Sequence, residues 1–142
     1  MSIVYKRRVT LTAEAAEACM AHGTPVPGDS QIGREIEYFN QFYGKLLPAL
    51  YLCYDRTAYF SRESTDLRVT FDRNICWRQE GMSLSSPVGG RQVLPAGHSL
   101  MEIKAAAAIP LWLVELLSRF GIRQTSFSKY GEAYRQQLLK LN

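Results

Sequence analysis

The sequence predicts an α+β fold in which a mostly antiparallel β-sheet packs against helices. Three segments alternate between apolar and polar residues with a period of two, which indicates strands. Segments with helix caps and apolar stripes lie before and after them along the chain. The chain has 142 residues, of which 46% are hydrophobic, so it is long enough for one domain with a substantial core.

The first third of the sequence predicts one strand and two helices. Residues 3–11 alternate and carry β-branched side chains, which indicates a strand. The segment 13–22 is predicted as a helix, and an apolar stripe from Ile32 to Tyr43 predicts a second helix. The residues suited to cap or stop these helices are Thr12, Gly23, Asp29 or Ser30, and Gly44.

Further along the chain the pattern changes to β and then returns to helix. The clear strands are 49–60, 66–72 and 100–105, and weaker strands are predicted at 75–80 and 82–86. Pro110 suits the first turn of a helix over 111–120, and Gly121 suits its C-terminal end. A last helix is expected to begin near Ser126 or Ser128.

Composition excludes several classes of protein. The net charge of +4 is a mild excess, compatible with an anionic ligand. No apolar run approaches the length of a membrane span, and the N-terminus lacks a hydrophobic signal core, so we expect a cytoplasmic protein. The scattered Cys19, Cys53 and Cys76 indicate reduced core thiols, and His22 and His98 lack the spacing of a zinc site.

Each predicted strand has one apolar face and one face that carries long charged side chains. On these charged faces lie Lys6, Arg8, Arg56, Arg68, Glu102 and Lys104. An open sheet would leave these charges in water, which is the more common case. A closed or strongly curled sheet would instead line a hydrated interior with them.

The basic side chains are of the types that bind phosphate. They are Arg56, Arg68, Lys104 and Lys129, and Glu102 beside them could hold a divalent metal ion. Ser128 and Lys129 lie at a predicted helix N-terminus, where they could grip a phosphate, or where Ser128 could be a plain cap beside a solvated lysine. The nucleotide motifs GxxxxGK[ST] and GxGxxG are absent, and the basic and aromatic residues of the last helix do not favour nucleic-acid binding.

Five ordered segments resemble a known family. They are "YDRTAYF", "LRVTFDRNICWR", "LMEIK", "PLWLVELLSRFGI" and "TSFSKYGEAY". Together they resemble the VTC domain, the polyphosphate polymerase domain of the vacuolar transporter chaperone complex, over about Tyr5 to Tyr134. The resemblance implies a triphosphate tunnel (CYTH-like) fold, an antiparallel barrel with basic walls. In such proteins a glutamate holds manganese or magnesium, and the γ-phosphate of ATP is transferred to a polyphosphate chain.

The resemblance also implies roles for individual residues. Arg56 and Arg68 correspond to tunnel arginines that bind phosphate, and Glu102 corresponds to the metal-binding glutamate, with Lys104 as its basic neighbour. Lys129 corresponds to a lysine at the tunnel rim. The predicted catalytic residues are therefore Arg56, Arg68, Lys104 and Lys129. Ser128 corresponds to a substrate-binding serine at the tunnel rim. A further lysine that some members place shortly before this serine is Ser126 in this sequence.

The family domain begins with further strands that carry basic and acidic pairs, and this sequence starts after them. Residues 1–142 are therefore expected to form a single VTC-like domain that lacks those strands, with Lys6 and Arg8 as partial replacements in substrate binding. An incomplete tunnel predicts exposed sheet edges, and hence pairing with a second copy or with a partner segment.

The leading hypothesis is a domain that binds inorganic polyphosphate or nucleotide triphosphates and is related to metal-dependent polyphosphate polymerases. This chain alone is expected to be inactive as a polymerase. One alternative is a non-catalytic polyphosphate or phosphate sensor, which needs the cations but no metal. Another is a CYTH-type triphosphatase or cyclase, which would differ in its product.

Overall fold

The computed structural model describes residues 6–44, 46–62 and 66–139, and these ranges contain four helices and four strands. In chain order the elements are α1 (Ala13–His22), α2 (Gln31–Tyr43), β1 (Tyr51–Phe60), β2 (Leu67–Arg78), β3 (Arg91–Gln92), β4 (Leu100–Ala105), α3 (Leu111–Arg119) and α4 (Lys129–Leu138). All strand pairs are antiparallel, which confirms the α+β class. The chain forms two compact units, Met1–Pro48 and Ala49–Asn142.

The helices of the first unit begin and end where the sequence predicts. The Thr12 hydroxyl accepts a hydrogen bond from the Ala15 N–H at 3.2 Å, and the left-handed Gly23 (φ 66°) ends α1. Of the two candidate caps of α2, Ser30 takes the role, because its hydroxyl accepts the Gly33 N–H at 3.0 Å.

The strand predicted at 3–11 is wrong for the part that the structure describes. Residues 6–11 have no regular secondary structure, and residues 3–5 lie outside the described ranges. Lys6, Arg7 and Arg8 are exposed, and Arg7 forms an ion pair with Glu35 of α2. Alternation is consistent with a strand, but a strand also needs a partner for its backbone hydrogen bonds, and the composition of the segment cannot supply one.

In the second unit, β2 is the central strand of the sheet. β1 pairs along one side of β2; on the other side β4 pairs with its first half and β3 with its second half. The segments 49–60, 66–72 and 100–105 are therefore confirmed as strands, whereas 82–86 contains irregular backbone, a turn and a bend and no strand. The two-residue β3 was missed because it is too short to show alternation.

The weak strand predicted at 75–80 is the continuation of β2 to Arg78. The two parts of β2 are joined at a bulge, where Asn74 has a positive φ of 50° and the register with β1 shifts between Cys53 and Asp55. The Asn74 side chain donates to Asp55 Oδ2 at 2.7 Å. Because a bulge interrupts the period of two, one continuous strand looks like two in the sequence.

The barrel that the resemblance implies is not closed by the described strands. Within the described ranges β1 pairs only with β2, so its other edge is open. All β1 residues after Cys53 are exposed. The observed architecture is therefore a four-stranded antiparallel sheet with helices.

The core of the second unit lies on one end of the sheet, under α4. Its buried residues are Ile75, Trp77, Val93 and Ala133, with Leu50, Leu52, Leu94, Leu100 and Phe127 packed around them. Gln136 of α4 accepts the Trp77 indole N–H at 2.9 Å and donates to the Val93 carbonyl at 3.0 Å. These bonds hold α4 across the sheet, so that the first residues of the helix lie over the next part of the same face.

Helix α3 supplies a side chain to the other face of the sheet. Trp112 lines a cavity of about 380 Å³ together with Leu67 and Val69, which point away from α4. Pro110 is the N-cap of α3 and not a residue of its first turn, and Gly121 (φ 64°) follows its C-terminal end as predicted. None of the helices in the described ranges has the length and apolarity needed to cross a membrane.

Candidate functional site

The strand register brings most of the predicted site residues onto one face of the sheet. Arg56 of β1 lies opposite Asp72 of β2, and Arg68 of β2 lies opposite Lys104 of β4. We define the charged cluster as Arg56, Arg68, Asp72, Glu102, Lys104 and Lys129, the last of which comes from α4. Because all of these strand positions share one parity relative to Arg56, their side chains leave the same side of the sheet.

Asp72 is the centre of the charged cluster and is fully buried. Its carboxylate accepts two bonds from Arg56, at 2.6 Å from Nε and 2.8 Å from Nη2. Lys129 Nζ lies 2.7 Å from Asp72 Oδ2. A buried carboxylate is tolerated only when it is paired in this way, and the forked geometry of arginine makes the strongest such pair.

The same contacts shift the ionisation of this group. The hydrogen bonds from Arg56 are the main cause of the lowered pKa of Asp72; burial opposes them, and Lys129 adds to them. The Asp72 carboxylate in turn raises the pKa of Arg56. Asp72 and Arg56 therefore both carry their charges over the physiological pH range.

Lys129 reaches Asp72 because α4 begins at this residue. The Ser128 hydroxyl accepts the Gly131 N–H at 3.1 Å, which caps the helix as the simpler interpretation of this motif predicted. The lysine is not solvated, however, since only 18% of its side chain is exposed. Ser128 thus helps to position Lys129, and the phosphate-binding role predicted for Ser128 stays a prediction.

Tyr54 also belongs to the site, although the sequence analysis gave it no role. The Arg56 guanidinium carbon lies 5.0 Å from the centre of its ring, and Lys129 Nζ lies 4.9 Å from it. Both distances allow cation–π attraction. The signal was present in the sequence, because Tyr54 shares the period-two face of Arg56.

Glu102 lies between two cations. Its carboxylate is 3.3 Å from Lys104 Nζ and 3.9 Å from Arg56 Nη2, and 41% of its side chain is exposed. The part of the chain that the structure describes contains no group of three His, Cys, Asp or Glu side chains that could hold a metal ion. Glu102 is therefore a salt-bridge partner that has accessible surface to bind a further cation.

Arg68 and Lys104 form a like-charged pair across β2 and β4. Such pairs are unfavourable when the two residues lie directly opposite each other. Arg68 lies over the ring of Phe60 with its guanidinium carbon 5.9 Å from the ring centre. Between Arg68 and Asp72 on the same face, the buried Thr70 hydroxyl has no hydrogen-bond partner within the described ranges. This end of the cluster therefore has unmatched positive charge and an unused polar group.

The comparison with known families agrees with these motifs. The family model of the VTC domain matches residues 2–138. The chain belongs to the VTC domain family. The predicted resemblance is thereby confirmed, and family membership suggests a function related to polyphosphate. No curated protein and no solved structure matches the chain significantly.

In this VTC domain, the structure brings together five of the eight predicted site residues as one cluster, and Ser128 caps the helix that supplies Lys129. Lys6 and Arg8 are exposed residues of the first unit, and their predicted role in binding substrate stays a prediction. Sequence reasoning placed Asp72 on the charged face but gave it no role. The role of Asp72 as a counterion could not be predicted from the sequence. It depends on Lys129, which is distant in sequence and lies beside Asp72 only because α4 packs on this face.

Proposed function

We propose that this VTC domain binds inorganic polyphosphate, or the triphosphate of a nucleotide, on the charged cluster. The observation that carries the proposal is the like-charged pair of Arg68 and Lys104 on the same face as Arg56 and Lys129. Two cations that face each other across strands repel, and an anion between them would turn this repulsion into attraction. The four cations of the cluster face only two carboxylates, so two positive charges remain for a ligand.

The two halves of the cluster have different roles in this proposal. Arg56 and Lys129 are held in place by Asp72, so little side-chain freedom remains to be lost when they meet a phosphate. Arg68 and Lys104 have only Glu102 between them as a counterion, so one positive charge of this half is uncompensated. An arginine fork matches two phosphate oxygens, whereas a lysine acts as a point charge.

We further propose that the domain is related to polyphosphate polymerases, which transfer the γ-phosphate of ATP to a polyphosphate chain. Such reactions depend on positioning the phosphates and on offsetting the charge of their oxygens, which several fixed cations can do. Of the two carboxylates, Asp72 is fully engaged, so Glu102 is the residue that fits a manganese or magnesium ion arriving with the substrate phosphates. When bound, such an ion would offset phosphate charge.

The proposal also concerns the tunnel that is typical of the family. The described sheet has a charged face of the kind that would line a tunnel, and its open β1 edge could accept further strands. Without closure, a phosphate chain would meet cations from one side only. We therefore propose that the described sheet is one wall of such a site.

A second candidate is a non-catalytic polyphosphate or phosphate sensor. It is favoured by the ion pairs that both carboxylates of the cluster already form with its cations. The sensor would bind phosphates without a metal ion. A triphosphatase or cyclase of the same superfamily would be recognised by its product, free phosphate or a cyclic nucleotide.

The test is calorimetric titration of the purified chain with tripolyphosphate, with and without manganese. The Arg68→Ala variant is compared with Arg73→Ala, which removes an exposed arginine from the opposite face of the same strand. We expect Arg68→Ala to weaken binding about tenfold, since bonds to charged groups contribute on the order of 1.5 kcal/mol. Equal effects of the two substitutions would contradict the proposal, because they would mean that only overall charge matters.

A further inference from the structure

Two of the three cysteines face each other across neighbouring strands. Cys53 of β1 and Cys76 of β2 are direct partners in the antiparallel register. Residues opposed in this way have Cα atoms about 4.5–5.5 Å apart, whichever type of pair they form. Disulfides join Cα atoms about 4.4–6.8 Å apart, so the register permits a bond without movement of the strands.

The two thiols differ in accessibility. Cys76 is buried, while Cys53 is half-buried. Burial is the main cause of the raised pKa of Cys76, and the neighbouring Cys53 thiol adds to it. Of the two thiols, Cys53 is therefore the one that a small oxidant reaches first, and Cys76 lies directly opposite it.

The end of the β2–β3 connection and β3 itself contact the two sulfur atoms. The Gly89 carbonyl lies 3.9 Å from Cys53 Sγ, and the Gln92 side chain donates to Cys76 Sγ at 3.2 Å. The backbone of Gly90 runs so close to β2 that an added Cβ would lie 2.4 Å from the Trp77 carbonyl oxygen. The pair is thus enclosed on one side, which favours a reaction between the two thiols over a reaction with a second large molecule.

We propose that Cys53 and Cys76 are an oxidation site that forms a cross-strand disulfide when the protein meets a peroxide. The Cys53 thiolate attacks a peroxide oxygen, the O–O bond breaks, and with hydrogen peroxide the products are a sulfenic acid and water once the leaving hydroxide takes a proton. Cys76 sulfur, as it loses its proton, then attacks the Cys53 sulfur, the S–O bond breaks, and a second water leaves. Both thiols are oxidised, one peroxide is reduced, and a small thiol can reverse the bond by exchange.

The bond would have a local structural effect. It would join β1 to β2 on the core side of the bulge at Asn74 and hold the register of these strands. The thiols lie on the sheet face opposite to Arg56, so the charged cluster would keep its geometry. The inference is therefore independent of the proposed function.

The experiment treats the reduced, full-length chain with a small excess of hydrogen peroxide and then alkylates the remaining thiols. Peptide mapping by mass spectrometry is expected to show Cys53 linked to Cys76 and Cys19 alkylated. Cys19 is the internal control, because it belongs to the first unit and is buried, with its thiol 3.6 Å from the Pro25 carbonyl oxygen. A bond that includes Cys19, a dimer through Cys53, or over-oxidised Cys53 without a bond would overturn the proposal.

Two variants extend the test. Cys19→Ala should still form the bond, and dithiothreitol should remove it. Cys53→Ala changes the more accessible thiol and should leave Cys76 unreacted at the same dose of peroxide. Oxidised wild-type protein should unfold at a higher denaturant concentration than reduced protein, while Cys53→Ala should show no such shift. An unchanged midpoint in the oxidised wild type would contradict the inferred link between β1 and β2.

Discussion

Arg68 and Lys104 lie directly opposite each other on adjacent antiparallel strands, so two positive charges face each other on the sheet surface. The nearest compensation for Lys104 is Glu102, 3.3 Å away, and Arg68 lies over an aromatic ring. Like charges that lie directly opposite each other are unfavourable for folding, which is the reason for our proposal that an anion binds at this pair. The proposal thus assigns ligand binding to this pair, whereas the Asp72 ion pairs also stabilise the fold.

The Arg68→Ala variant should therefore lose binding without losing stability. We expect its free energy of unfolding to lie within about 0.5 kcal/mol of the wild type, since it removes both a repulsion and a weak ring contact. Tripolyphosphate should raise the melting temperature of the wild type clearly more than that of the variant. Differential scanning fluorimetry with and without tripolyphosphate measures both effects; a large drop in stability without ligand would assign Arg68 to the fold.

The Asp72→Asn variant should behave in the opposite way. It leaves Arg56 and Lys129 without their buried counterion, so we expect a loss on the order of 3 kcal/mol in the free energy of unfolding. Glu102→Gln is the matched control, because Glu102 is much more exposed and its loss should change stability by less than about 1 kcal/mol. Urea unfolding at neutral pH gives both values. Equal losses would show that the buried ion pairs of Asp72 stabilise the fold no more than the exposed ion pairs of Glu102.

The difference between wild type and Asp72→Asn should depend on pH. The folded-state pKa of Asp72 is lowered, so its contribution is fully present above the pKa of the unfolded chain, about 3.9. That contribution is lost as the pH falls through the lower folded-state pKa. Unfolding measured from pH 7 to pH 3 should show a constant difference down to about pH 5 and a shrinking one below pH 4. The paired Glu132 is common to both proteins, so its own titration cancels in the comparison.

The Glu102→Gln variant should also test the proposed metal ion. If the ion bridges Glu102 and the substrate phosphates, manganese should tighten tripolyphosphate binding in the wild type and have no effect on the variant. The measurement is a titration in manganese and in a chelator at constant ionic strength. The same manganese effect in both proteins would favour the sensor, with Glu102 as a salt-bridge partner only.

The chain by itself should bind polyphosphate weakly and should not synthesise it. The described sheet presents cations from one side, and its binding should fall steeply with added salt. With ATP and manganese we expect no polyphosphate on a gel; robust synthesis by a monomer would show that closure of the sheet is unnecessary.

The open edge of β1 should also lead to self-association at high concentration. Thr57→Lys places a charge at an exposed position of this edge strand and should reduce association. Analytical ultracentrifugation of the two proteins provides the comparison, and a strictly monomeric wild type would be evidence that the edge is protected.

Much of the fold could be predicted because it rests on local rules. Thr12, Ser30 and Ser128 cap helices as their side chains allow, and the three main strands show their alternation. The failures have local causes too. Asn74 breaks the alternation of β2 with a bulge, and residues 6–11 alternate without forming a strand.

The sequence by itself determined the fold class, the family, and the identity of the basic residues that share a face of each strand. The tertiary structure decided which of these residues meet. Asp72 and Arg56 become partners through the register of β1 and β2, and Lys129 joins them because Gln136 and Ala133 fix α4 over the same face. Alternation specifies only the face on which a side chain lies, whereas an ion pair requires atoms within about 4 Å, and that proximity depends on strand pairing and helix packing between distant parts of the chain.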